Sequence, residues 1–240
     1  DTHRAWYAGY PNLVIVPTEG ARRRALSYGV PAEKIRVIGL PVSLKFAKES
    51  SETKNDLRVR LGLREMTTVL LVGGGEGMGR LFSIATAISD ARLPLQLIVI
   101  AGRNPGLEKR LKAFEWQIPV KITGFVTNMP DWMRASDLII TKAGPGTIME
   151  SLACSLPILL SGFLPGQEQG NVTFVEESGA GELVEEPHEI VSKLKTWLAP
   201  NDTTLARRRA RAHQLARPRT ALEIAAALDE LIHQSEKQSA

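Results

Sequence analysis

Residues 141–171 read TKAGPGTIMESLACSLPILLSGFLPGQEQGN, and the fold turns on how this stretch is understood. It joins a glycine-rich turn, a segment of helical pattern carrying one acid, Glu150, a short apolar run, and a loop packed with amides and a carboxylate. The apolar runs 138–140 and 158–160 are short and bounded by turn residues, which suits strands buried on both faces of a parallel sheet. Each polar loop follows the carboxyl end of such a strand. Both therefore emerge at the edge where open α/β sheets bind ligands, and the combination points to a phosphorylated sugar.

Working outward, strands are expected near 69–72, 95–100, 120–122, 138–141, 157–161 and 182–184, with helical segments between them. That alternation implies right-handed βαβ crossovers and an α/β, Rossmann-like parallel sheet with helices on both faces. Residues 57–200 form this domain. Residues 1–43 hold a strand-like run at 13–16, a helix at about 18–28 and a strand at 35–38, too little for a core of its own, and are expected to be the tail of an upstream domain. Residues 44–56 are polar, lack a steady apolar period and read as a linker. Residues 201–240 are expected to form carboxy-terminal helices, with Ile224, Leu228, Leu231 and Ile232 on one face that needs a partner surface.

At 240 residues, with 43% hydrophobic and 23% charged positions, the chain has the composition of an ordinary soluble globular protein. No run of about 18 apolar residues is present, so a spanning helix is not expected. Cys154 is the only cysteine and reads as a small apolar helix residue rather than a metal ligand. The expected location is cytoplasmic, peripheral on the inner face of the cell membrane. The net charge of +4 is mild, yet arginines cluster at 22–24 and again at Arg207, Arg208, Arg209, Arg211, Arg217 and Arg219. Such clusters attract anionic lipid at roughly 1 kcal/mol per well-placed cation, although a solvated helix face has the same composition. Nucleic acid is not expected as a partner, because aromatics make up only 5% of the chain and none interleaves with the arginines.

The candidate binding residues lie at the predicted strand ends. Val72 runs into Gly73-Gly74-Gly75-Glu76-Gly77-Met78-Gly79, where backbone amides at a helix start can meet a phosphate. The spacing satisfies neither the dinucleotide fingerprint nor the P-loop, so a nicotinamide dehydrogenase and a P-loop nucleotidase both lose ground. Arg103 ends the second strand on the same edge. Phe125 and Val126 follow the third and could present backbone groups beside an apolar wall, as the edge and face of a pyrimidine require. Lys142, Ala143, Gly144, Gly146 and Thr147 open the helix that carries Glu150. A carboxylate there can accept both hydroxyls of a ribose, although the helix dipole alone also favours an acid near this end. Gln167, Glu168 and Asn171 offer donors and acceptors for sugar hydroxyls.

The segments LVGGGEGMG, AGRN, GFVTNM, IITKAGPGTIME and PGQEQGNV occur in that order and resemble the donor-binding domain of the monogalactosyldiacylglycerol synthases. They are more distantly similar to bacterial processive diacylglycerol glucosyltransferases and to the N-acetylglucosaminyltransferase of peptidoglycan synthesis. The resemblance implies the carboxy-terminal half of a GT-B fold and transfer of a hexose, galactose favoured, from a UDP-sugar to diacylglycerol with inversion. It assigns Glu150 to the ribose, Phe125 and Val126 to the uracil, the glycine loops with Gly74 and Gly75 to the diphosphate, and Gln167, Glu168 and Asn171 to the sugar. No cofactor or metal is implied, because helix N-termini and basic side chains would stabilise the departing diphosphate. The general base and the diacylglycerol site belong to the family's amino-terminal domain. His3 lies near the cleft by the same resemblance and is not assigned a role. The chain by itself is expected to bind UDP without turnover. Alternative readings are a UDP-sugar epimerase on a similar scaffold and a non-catalytic nucleotide-sugar sensor at a membrane. Galactose and glucose differ in one hydroxyl, worth about 1–3 kcal/mol if a buried partner is left unpaired, and the loop could supply either preference.

Overall fold

Short runs of Leu, Ile and Val bounded by glycine or proline form the strands, and the amphipathic stretches between them form the helices. The protein is seen as a computed structural model that describes residues 4–7, 9, 11–48, 51–77 and 80–239. Along them run β1 (Val14–Val16), α1 (Glu19–Ser27), β2 (Ile35–Val37), α2 (Leu44–Ala47), α3 (Lys54–Arg60), β3 (Thr68–Val72), α4 (Leu81–Asp90), β4 (Gln96–Ile100), α5 (Pro105–Lys112), β5 (Val120–Thr123), α6 (Met129–Ala135), β6 (Leu138–Thr141), α7 (Pro145–Ala153), β7 (Ile158–Leu160), α8 (Gln169–Glu177), β8 (Gly181–Leu183), α9 (Pro187–Trp197), α10 (Thr204–Leu215) and α11 (Thr220–Ser239). They belong to two units, residues 49–216 and residues 1–48 with 217–240.

The larger unit is built on a six-stranded sheet in the order β5-β4-β3-β6-β7-β8. Every pairing is parallel, with Val72 opposite Ile100 on one side and Thr141 on the other. The expected α/β parallel sheet is therefore present. The chain moves from β3 outward to β5, then crosses back to β6 and continues the other way. Its direction reverses between β3 and β6, and this switch point opens a crevice at the carboxyl ends of those two strands. All residues of β3, β4 and β6 are buried, which explains their nearly continuous apolar composition. Val69, Leu71, Leu97, Val99, Leu138 and Ile140 pack on one face with Ile84 and Ile88 of α4 and Ile190 and Leu194 of α9. The alternate residues, among them Leu70, Ile98 and Ile139, are equally buried and point to the other face.

A cluster of charge ties the amino ends of these strands together. Asp137, just before β6, accepts from Lys54 Nζ at 2.8 Å, an Arg58 guanidinium nitrogen at 2.7 Å and the Thr68 amide at 2.9 Å. Arg209 of α10 approaches the same carboxylate at 3.3 Å. Lys54 and Arg58 lie in and beside the stretch 44–56 that reads as a linker. That stretch contains the division between the two units, after Lys48, and also carries α2 and the start of α3, which is set by a capping box between Thr53 and Asp56. Helices of four and seven residues are too short to display a period, which is why the pattern did not reveal them.

The smaller unit pairs β1 with β2 in parallel and closes over Val16, Ala25, Val30 and Ile35. Thr18 caps α1, its hydroxyl accepting from the Ala21 amide at 3.2 Å. Within this unit Thr220 Oγ1 donates to the Leu40 carbonyl at 2.7 Å, and Arg36 pairs with Glu230 at 2.6 Å. The division between units falls between Ala216 and Arg217, inside the segment 201–240 that the sequence treats as one piece. His3, Met78 and Gly79 lie outside the described residues.

The second arginine cluster is largely engaged inside the larger unit. Arg208 pairs with Glu182 at 3.2 Å and stacks on Trp197 at 4.4 Å, and Arg211 Nε donates to the Ser178 carbonyl at 3.0 Å. With Arg209 on Asp137, three of the guanidiniums that could have formed a lipid-facing patch hold α10 in place. Among the described residues, no helix is long and apolar enough to cross a membrane.

Candidate functional site

The crevice at the switch point is an open cleft of about 100 Å³ lined by Val72, Gly74, Gly75, Ile100, Gly102, Phe125, Val126, Met129, Thr147 and Glu150. Each residue arrives there for a local reason. Val72 and Ile100 are the last residues of β3 and β4. Gly74 and Gly77 turn the chain after β3 at φ of +75° and +60°, where a side chain is strained. Phe125, Val126 and Met129 form the connection from β5 into α6. Thr147 and Glu150 lie three residues apart on α7 and so share a face.

Gly102 locks two of these loops together. The Arg103 amide donates to the Gly75 carbonyl at 2.7 Å, and a β-carbon at Gly102 would meet the carbonyl oxygens of both Gly74 and Gly75. Gly102 also sits at φ +64°. Gly102→Ala is expected to destabilise the protein by roughly 1–2 kcal/mol for the left-handed conformation alone. It should also displace the 74–75 turn from the cleft. Urea unfolding measures the first effect, and UDP titration on the folded variant measures the second.

Among the described residues that line the cleft, Glu150 is the one acid. It is half-buried, and among the described residues no hydrogen bond or ion pair reaches its carboxylate. Burial accordingly raises its pKa above the ordinary glutamate value. A desolvated carboxylate facing a cleft with no internal partner is poised for a ligand that brings hydroxyl donors. The amides of Gly146 and Thr147, in the first turn of α7, have no carbonyl one turn back within the helix and can meet an anion.

The remaining candidates fall into two further groups. Arg103 lies over the Phe125 ring at 4.1 Å and pairs with Glu76 at 3.1 Å, so the cleft rim is a stacked cation and ring. Lys142 donates to Glu168 Oε1 at 2.6 Å, and Glu168 Oε2 accepts from the Leu164 amide at 2.9 Å. Each Glu168 oxygen thus already accepts one hydrogen bond, and the residue is 6% exposed, so part of its acceptor capacity toward a sugar hydroxyl is taken up inside the protein. Asn171 Nδ2 donates to the Ala143 carbonyl at 2.8 Å, which ties α8 to the turn after β6. Gly144 caps α7 beside Lys142, Gly146 is exposed at its first turn, and Gln167 is exposed in the loop before α8. Cys154 ends α7, and burial pushes its thiol up to about 12.

Val72, Ile100, Gly102 and Met129 line the cleft without having been candidates. Gly102 had a visible signal, a glycine directly after a strand on the ligand edge. The other three are apolar residues indistinguishable from core. Among the described residues, no group of three or more His, Cys, Asp or Glu could hold a metal ion.

Comparison with known proteins places this geometry in context. Residues 68–231 match the glycosyltransferase family 28 C-terminal domain. The chain is 42% identical over 240 residues to monogalactosyldiacylglycerol synthase 2, chloroplastic, of Arabidopsis thaliana, covering 97% of this chain and 51% of that protein. The spinach (Spinacia oleracea) monogalactosyldiacylglycerol synthase is 40% identical, with 97% and 46% covered. The chain thus spans about half the length of the curated relatives it matches. Among solved structures, Anabaena HepE in complex with UDP-glucose superposes with a TM-score of 0.60 at 20% identity, over 92% of this chain and 64% of that one. At that identity the likeness establishes the fold.

Proposed function

Because the chain belongs to glycosyltransferase family 28 through its match over residues 68–231, we propose that it is the donor-binding part of an inverting transferase that moves a hexose from a UDP-sugar to diacylglycerol. Galactose is the favoured hexose, on the identity to the monogalactosyldiacylglycerol synthases. The observation that carries the proposal is Glu150, a half-buried carboxylate without a partner among the described residues, in a cleft between two glycine turns.

In this reading Glu150 accepts the two ribose hydroxyls, and the wall formed by Phe125, Val126 and Met129 holds the uracil. The turn at Gly74 and Gly75 and the first amides of α7 face the diphosphate. A base supplied by the full-length protein removes the proton of the lipid hydroxyl, whose oxygen attacks the anomeric carbon from the side opposite UDP. The bond to the diphosphate oxygen breaks as the new bond forms, which inverts the centre. Negative charge grows on the departing UDP, where oriented amides and Lys142 stabilise it. The acceptor is a lipid, so the reaction takes place at a membrane surface.

Calorimetric titration of the chain with UDP tests the donor site, and no binding at millimolar UDP would sink the reading. The affinity should also depend on pH. The ionised Glu150 is the stronger acceptor for the two hydroxyls, and its pKa is raised by burial. UDP affinity is therefore expected to fall on acidification, beginning above the ordinary glutamate range. A pH-independent affinity would remove Glu150 from the ribose.

A second reading is a UDP-sugar epimerase on a similar scaffold. An epimerase would convert a UDP-sugar without any lipid. Product analysis of the full-length protein with UDP-galactose and UDP-glucose, with and without diacylglycerol, separates the two readings and identifies the hexose.

A further inference from the structure

We infer that Glu168 is a positioning residue for Lys142, holding its ammonium between the two glycine turns so that it meets the donor diphosphate. The inference rests on the UDP-sugar reading above and deepens it. Lys142 follows the last residue of β6, on the switch-point edge. A β-carbon at Gly74 would lie 3.8 Å from Lys142 Cε, and one at Gly144 would lie 3.7 Å from Lys142 Nζ. The ammonium thus stands between the turn that leaves β3 and the turn that opens α7.

A lysine stem samples many rotamers, and something must select this one. Glu168 does so from a buried position, its side chain 8% exposed against 28% for Lys142. One carboxylate oxygen takes the ammonium at 2.6 Å, and the other takes the Leu164 amide at 2.9 Å, which anchors the carboxylate to the loop before α8. Asn171 fixes the same loop and helix to the Ala143 carbonyl. An ammonium has three N–H donors, so pairing with Glu168 leaves two for phosphate oxygens. Both Glu168 oxygens are thus committed to holding the ammonium and the loop in one geometry.

The test measures UDP, UDP-galactose, UDP-glucose and uridine affinities for the full-length protein, K142M, E168A and the double variant by calorimetry. Uridine lacks the phosphates and serves as the control for an intact fold. K142M is expected to weaken UDP by about tenfold or more, as for a lost charge-assisted hydrogen bond, and to leave uridine unchanged. E168A is expected to weaken UDP severalfold. Coulomb's law alone predicts the opposite, since removing a negative charge should tighten binding of an anion. In the K142M background E168A should add no further loss, because its effect acts through that ammonium. If E168A loses uridine binding as well, E168Q carries the same comparison, because its amide oxygen can still accept from Leu164. UDP affinity that rises or holds in the Glu168 variants, with loss only of the extra affinity for UDP-hexose, overturns the inference and makes Glu168 a sugar ligand while the donor site stands. Absence of both UDP and uridine binding in the unaltered protein overturns the donor reading and this inference with it.

Discussion

Glu150→Gln is expected to weaken UDP binding by roughly ten- to a hundredfold, the equivalent of about 1.5–3 kcal/mol for hydrogen bonds to a charged group, and at neutral pH to raise the melting temperature. The two effects share one cause. The carboxylate is half-buried, lacks an internal partner among the described residues and is desolvated without compensation, so the folded state bears its ionisation at a cost. Its pKa is raised in the folded protein, which means that the folded state binds the proton more readily than the unfolded one. Stability from this group is therefore greatest at low pH and declines as pH rises through the raised pKa. A glutamine has no charge to desolvate and no such decline. Ligand binding runs the other way, because the ribose hydroxyls need the ionised acceptor. Thermal unfolding beside UDP titration checks both. A variant that binds UDP normally would remove Glu150 from the site, and one that melts lower would show that its carboxylate has a structural partner.

Asp137→Ala is expected to destabilise the larger unit by about 3 kcal/mol, at the lower end for a broken buried ion pair because the side chain keeps 20% exposure. The loss would leave Arg58, 9% exposed, without its counter-charge and the Thr68 amide without its acceptor. Here the pH sign reverses. Burial opposes ionisation of Asp137, but the hydrogen bond and charge of Lys54, the Thr68 amide and the charge of Arg58 outweigh it and hold the carboxyl below its usual value. Its contribution is present above the unfolded pKa and lost as pH falls through the depressed folded one. Lys54 is itself pushed down, by burial first and by Arg209 and Arg58 among its opposing neighbours, so cations crowd a single carboxylate. Asp137→Asn, which keeps an acceptor for Thr68 but not the charge, should fall between. Urea unfolding at neutral and acidic pH measures the difference, which should shrink on acidification. An unchanged midpoint would mean that the cations find water at no cost.

These two acids stand at opposite ends of neighbouring parts of one sheet and illustrate how binding and stability are divided. Asp137, at the amino end of β6, gathers Lys54, Arg58 and Arg209 and stabilises the ionised form. Glu150, on the helix that follows the carboxyl end of β6, faces the cleft unpaired. The same strand leads from a saturated structural charge to an unsatisfied one available to a ligand.

The strands, the parallel sheet and the glycine turns were legible along the chain because they rest on local signals, whereas the order β5-β4-β3-β6-β7-β8 appears only in the folded sheet. Buried strands need continuous apolar runs, turns with positive φ need glycine, and Thr147 with Glu150 share a helix face through their spacing alone. The ligand edge followed from these. Short helices such as α2 and α3 were not legible, since caps rather than period define them. What only the tertiary structure decided is which polar groups are already engaged. Lys142 and Glu168 are 26 residues apart, and Asp137 meets Lys54 across 83. A sequence displays donors and acceptors without their separations in space, and a charge a few ångströms from its counter-charge behaves differently from the same charge facing an open cleft. Residue type and pattern thus determined the fold and the edge that carries the candidate site, while distances across the folded sheet determined that Glu168 already holds Lys142 and the Leu164 amide and that Glu150, among the described residues, holds no partner.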